Sequence, residues 1–155
     1  MADFLYQYDL VKSSRLVLLD FCRTLSADHF VQEHAHFGRG SIRNLLVHVA
    51  NVYEFWIGSK ALKLNQEYTP LDAVTDMDQM VLLYDKIDRL IGAFASSFGD
   101  SAMKPISFER DGLATSETPF KLFTHVITHE YHHKGQVLSM SRHLGYVPVD
   151  TDVIR

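Results

Sequence analysis

The stretch TPFKLFTHVITHEYHHKGQVLSMSRHLG, residues 118–145, reads as one long helix with both ends marked. Thr118 is a side-chain N-cap, and Pro119 occupies the first helical position, where its missing N–H costs nothing. Gly145, with Pro148 just beyond, stops the helix. Four of the chain's nine histidines fall between residues 124 and 136 of this helix, and residues 129–133 spell a literal H-E-x-x-H.

Outward from this helix, the chain predicts three more. Residues 3–25 carry apolar side chains at Leu5, Tyr8, Val11, Leu18, Leu19, Cys22 and Leu25, which is helical spacing. Ser26 and Asp28 break or cap that helix, and a polar connection, DHFVQEHAHFGRG, follows. Ser41 caps SIRNLLVHVANVYEFWIGSKAL, whose core positions are Ile42, Leu45, Val49, Val52 and Trp56. Residues 64–75, with Pro70, read as a loop. Thr75 or Asp76 then caps a helix through Met80, Leu83, Ile87, Leu90, Ile91 and Phe94 to about Phe98, with acidic residues in its first turn, as the helix dipole favours. Between it and the last helix, ISFE, RDG and LAT spell a small hairpin. The expected architecture is all-α: a four-helix bundle with a hairpin insertion before the last helix, one domain over residues 1–155. The interior of a bundle is where side chains from facing helices build sites.

The bulk numbers narrow the function. A chain of 155 residues with 46% hydrophobic and 22% charged residues can bury one ordinary core. A net charge of −4 leaves no basic surplus for a phosphate backbone, so no nucleic-acid partner is expected. The single cysteine, Cys22, cannot form an internal disulfide, fits a reducing compartment, and sits in the apolar run LVLLDFC as a buried thiol. The N-terminus has no basic segment followed by an apolar core, and no apolar run approaches the ~18 residues of a membrane span. A cytoplasmic protein without a membrane partner is the expectation.

Three chemistries could use the histidine-rich helix. A zinc protease would take His129 and His133 as ligands and Glu130 as general base, and it needs a third protein ligand. No glutamate follows Glu130, and the positions that would hold glycine and histidine in the longer form of the motif are Gln136 and Ser139. Asp150 and Asp152 remain, in a short tail. A di-iron site would need a second Glu-x-x-His on another helix and a glutamate from each remaining one. The match Glu33 to His36 lies in the Gly-flanked connection, and the first and third helices hold no glutamate. The third reading adds His48, the one histidine of the second helix. His129 and His133 stand one turn apart on a helix face about 40° wide, and His48 flanks the apolar stripe of Leu45 and Val52. Three imidazoles from two helices would occupy three corners of a tetrahedron and leave the fourth to water, a set suited to Zn²⁺ or Ni²⁺. Spacing alone leaves this beside the plainer reading, in which His48 is a hydrogen-bonded core residue.

At these residues the chain resembles the DinB/YfiT-like proteins. The resemblance rests on SIRNLLVHV, with its histidine seven residues after a serine cap, on HVITHEYHHKGQV, with H-x-x-x-H followed by a basic residue, glycine and glutamine, and on the Asp-Gly hairpin before the last helix. It implies a four-helix bundle holding one divalent metal through His48, His129 and His133. It also implies a homodimer. Some such proteins are transferases using a low-molecular-weight thiol, many carry a provisional assignment as metal-dependent hydrolases, and some are induced by DNA damage.

Around the three histidines, Glu130, His125 and Gln136 are candidates for supporting or catalytic roles. Gln136 could orient a ligand or be an exposed helix residue, and His125 could donate to a group bound at the metal. His132 is expected to face solvent. His29, His34 and His36 could line a mouth but read as loop residues, and Tyr53, Phe55 and Trp56 read as core. A metal with an exchangeable position supports hydrolysis, or attack by a thiol held as thiolate. The chain has no Ser-His-Asp or Cys-His nucleophile of its own, so borrowing a thiol's sulfur is economical. The function expected is a metal-dependent enzyme acting on a small molecule, of thiol S-transferase or hydrolase type. The alternative is a non-catalytic metal-binding protein of a stress or damage response.

Overall fold

The computed structural model describes residues 3–155, and it is mostly helical. Five α-helices run in the order α1 (Phe4–Cys22), α2 (Ala27–Val31), α3 (Ile42–Tyr53), α4 (Met77–Phe98) and α5 (Pro119–His143). Between α4 and α5 lies an antiparallel hairpin of β1 (Ile106–Arg110) and β2 (Leu113–Glu117). Among the described residues no helix is long and apolar enough to cross a membrane.

Side-chain caps set the helix starts. The side chains of Asp3, Ser26, Ser41, Asp76 and Thr118 each accept a hydrogen bond from a backbone N–H three residues on, satisfying one of the donors that a helix start leaves free. The hairpin turns through Asp111 and Gly112 at φ 53° and 77°. Two consecutive left-handed residues make the tight turn whose twist matches the flanking strands, and aspartate and glycine tolerate that conformation best.

Three features depart from the sequence reading. Ser26 opens a fifth, five-residue helix, α2, at the start of what reads as a polar connection, and it buries Phe30. The second long helix does not stay α-helical to its end. From Glu54 to Ala61 it widens into π-helical winding that buries Ile57 and Ala61 while Trp56 is only partly buried. Leu5, expected in the core, is 49% exposed because Phe4 takes the inward position.

The buried apolar side chains form one cluster. Helix α3 packs along α5, and α1 along α4. Phe4, Phe94 and Phe123 meet across three helices, with ring centroids 4.9–6.3 Å apart. Each such ring removed from water contributes ~2–3 kcal/mol. Cys22 is buried as expected, and burial pushes its thiol up to about 12, so it stays protonated and inert.

A polar brace runs through this core. Arg15 of α1 grips both carboxylate oxygens of Glu130 on α5, Nε at 2.8 Å and Nη2 at 3.0 Å, and its Nη1 reaches Asp88 of α4 at 2.8 Å. Tyr53 at the end of α3 donates to Glu130 at 2.6 Å, and Tyr8 of α1 donates to Asp88 at 2.8 Å. Burial, and then the Glu130 anion, holds the Tyr53 hydroxyl far above its ordinary value, so it remains a donor. One network therefore ties the four long helices together, and every group has a partner, the condition under which buried charge is tolerated. Beside it Lys134 donates to Ser14, which donates to the carbonyl of Thr151 and docks the C-terminal tail.

Candidate metal centre

His48 projects from α3 one residue after buried Val47, where α3 lies against α5. His129 and His133, one turn apart on α5, face it across that seam. The ring centroids stand 5.0 Å (His48–His129), 4.8 Å (His48–His133) and 4.4 Å (His129–His133) apart. One nitrogen from each ring can be chosen so that all three lie within 4.8 Å of one another, the spacing of groups that could hold one metal ion. The packing of two helices thus does what spacing along the chain could only suggest, and His48 is not a solitary core histidine.

The donor set fits a cation. His133 Nδ1 lies 2.7 Å from Gln136 Oε1, an oxygen that can only accept, so Nδ1 carries the proton and Nε2 offers a lone pair. That Nε2 sits 3.2 Å from His129 Nε2, close to the ~3.3 Å between two nitrogens bound tetrahedrally to one zinc at ~2.0–2.1 Å. His129 Nδ1 is buried without a protein partner. Burial pushes His48 and His129 down to about 4, helped at His48 by Arg39 and His133 and at His129 by the neighbouring histidines. Burial lowers His133 as well. Neutral imidazole is the form that binds metal, so the rings are ready as ligands at neutral pH without first losing protons.

Glu130, between the two α5 ligands in sequence, points the other way. A step of one residue turns ~100° around a helix, which carries its carboxylate into the grip of Arg15 and Tyr53. It is neither solvated nor available as a fourth ligand or general base, and its place is in the brace that fixes how α5 is rotated. Among the described residues the metal-spaced group contains only the three histidines. Asp150 and Asp152 lie in the exposed tail, outside that group.

The other candidates separate. Gln136 meets the site through His133. His125 is exposed, with its ring 5.8 Å from His129 on one side and 5.3 Å from Trp56 on the other. His132 is exposed, as its angle around the helix implied. His29 bonds the Tyr146 hydroxyl at 2.8 Å, and His34 packs on His143, so both serve the far end of α5. Tyr53 is core, but Trp56 lines a surface cleft.

Residues that the sequence reading passed over matter as well. Arg15 holds Glu130, and its signal was present: a charged residue seven after Tyr8 and three before Leu18, on an apolar stripe. Arg39, in the connection before α3, is near enough to His48 and His133 to disfavour their protonation. Nothing in its local sequence marks it.

The chain matches the DinB family over residues 1–155. It is similar to the crystal structure of a DinB-like protein from Bacillus cereus ATCC 10987, with a TM-score of 0.72 and 21% identity, over 95% of this chain and 95% of that one. At that identity the likeness is one of fold. None of the curated proteins matches it. With the match spanning its whole length, the chain belongs to the DinB family.

Proposed function

We propose that this DinB-family protein is a metal-dependent enzyme acting on a small molecule, of thiol S-transferase or hydrolase type. One divalent ion, Zn²⁺ or Ni²⁺, would be held by His48, His129 and His133. The long helices α1, α3 with its π-helical extension, α4 and α5 would form a four-helix bundle making up one domain, with α2 and the hairpin as additions. A homodimer is the assembly that the family resemblance implies.

The observation that carries the reading is the count of donors. Three neutral imidazole nitrogens converge, and the one carboxylate adjacent in sequence is spent on Arg15 and Tyr53. A site that stores or senses metal is served by a closed ligand sphere, whereas three protein ligands leave a position for an exchanging molecule. A bound ion would supply Lewis acidity at that position, favouring the deprotonated form of water or of a thiol. The chain's own residues do the rest. Gln136 orients the His133 ring, the brace around Glu130 sets the rotation of α5, and Arg39 adds positive charge beside the histidines. The partial exposure of His48 and His129 gives a small molecule access.

The test is turnover by metal-loaded protein against a panel of low-molecular-weight thiols, electrophiles and hydrolysable esters and amides, with His48→Ala as control. Turnover that vanishes in the variant is expected. No turnover by loaded protein, or turnover that His48→Ala leaves unchanged, refutes the enzyme reading.

A further inference from the structure

Beside the histidines a cleft of about 250 Å³ opens between the hairpin and the first half of α5. Trp56, Arg110, Glu117, Lys121, Leu122 and His125 line it. Its charges do not cancel. Lys121 and Glu117 neutralise each other at 2.6 Å. Among the described residues Arg110 pairs only with Asp111, at 3.4 Å, and the two side chains are 53% and 85% exposed, so that pair is held weakly in water. The cleft is left with one unspent positive charge, a guanidinium whose carbon lies 5.1 Å from the centre of the Trp56 ring. A guanidinium over a ring can still offer its planar N–H fork, which a carboxylate fits with two parallel hydrogen bonds. The remaining wall, Trp56 and Leu122, is apolar.

Ring contacts connect the cleft to the histidines. The Trp56 ring, with the Arg110 guanidinium over it, lies 5.3 Å from the His125 ring, and the His125 ring lies 5.8 Å from that of His129. His125, part of the cleft's lining, is thus also the ring beside His129. Trp56 packs against its neighbour Phe55 at 5.0 Å and, across to the hairpin, against Phe108 of β1 at 6.2 Å.

We infer that this cleft is the substrate subsite for a small monocarboxylate with an apolar body, its acid held by Arg110, its body against Trp56 and Leu122, and its other end presented past His125 to the three histidines. The inference rests on the metal-site reading for what happens at that other end, and on the cleft alone for binding.

Trp56 is the chain's only tryptophan, so its emission reports occupancy without any turnover. Metal-loaded and metal-free protein are titrated with benzoate, and with benzamide as the uncharged body of the same shape. Benzoate is expected to change the emission saturably and to bind at least 10-fold more tightly than benzamide. Arg110→Gln should weaken benzoate at least 10-fold and leave benzamide unchanged. Arg110→Lys, which keeps the charge and Trp56's neighbour but loses the fork, should fall between. Absence of a saturable change, equal affinity for the two probes, or benzoate binding unaffected by Arg110→Gln overturns the subsite. Metal content of the same samples, measured in parallel, separates the two readings. Benzoate binding that persists in protein unable to take up metal removes the metal centre and keeps the cleft, and loaded protein blind to benzoate does the reverse.

Discussion

Replacing Arg15 with methionine should be among the most damaging single changes available outside the apolar core. The side chain is 2% exposed and makes two bonds to Glu130, whose side chain is 5% exposed, and one to Asp88. Methionine fills similar space but strands the Glu130 carboxylate in the core with only the Tyr53 hydroxyl. Removing one partner of a buried ion pair costs ~3–5 kcal/mol. At roughly 3 °C per kcal/mol for a chain of this length, the midpoint of thermal unfolding should fall by about 10–15 °C. The assay is calorimetry of chelator-treated protein, which keeps metal linkage out of the comparison. Replacing both partners, Arg15→Met with Glu130→Met, removes the stranded charge and should recover at least half of the loss, since apolar pairs substitute for buried ions at little cost. A fall below about 3 °C in the single variant, or a double variant no more stable than the single, would refute the view that the brace holds α5 to the rest of the core.

Two further outcomes test the site. Gln136→Ala removes the acceptor that fixes the His133 tautomer and should weaken Zn²⁺ binding about 10-fold, as loss of a ligand's hydrogen-bond partner does; competition against a chromophoric chelator reads it, and an unchanged affinity would contradict the role. Metal-free protein should lose stability as pH falls from about 6.5 towards 4. His48 and His129 drop from 6.5 unfolded to about 4 folded, so across this window the unfolded chain binds more protons and acid favours unfolding. At ~1.4 kcal/mol per unit, roughly halved for partly exposed rings, the two together contribute ~3 kcal/mol. Urea unfolding at stepped pH, compared with a His48→Gln, His129→Gln variant, isolates that share; equal slopes for the two proteins would contradict it.

The features legible in the sequence are those written in local chemistry. Ser41, Asp76 and Thr118 cap helices because each side chain bonds an N–H three residues on, and Asp111-Gly112 turns because both residues tolerate positive φ. His129 and His133 could be paired because a helix repeats every 3.6 residues. What escaped depends on partners far along the chain. Arg15 and Glu130 are 115 positions apart, and neither has a neighbour that announces the other. Glu54 is a similar case, buried in the π-helical extension with Lys86 of α4 as its partner at 2.5 Å. Helix α2 leaves no sequence signal because its five residues, ADHFV, carry a single buried side chain, Phe30, too few for a period to show. Arg39 and Arg110 matter only through where a loop and a hairpin place them.

Calorimetric titration of chelator-stripped protein with Zn²⁺, for the parent chain and for His48→Ala, confronts the central claim most directly. One ion per chain, and affinity lost by at least 100-fold in a variant that still melts cooperatively, is the predicted result. A parent chain that takes up no ion, or a His48→Ala variant that binds as tightly as the parent, would contradict a centre shared between α3 and α5.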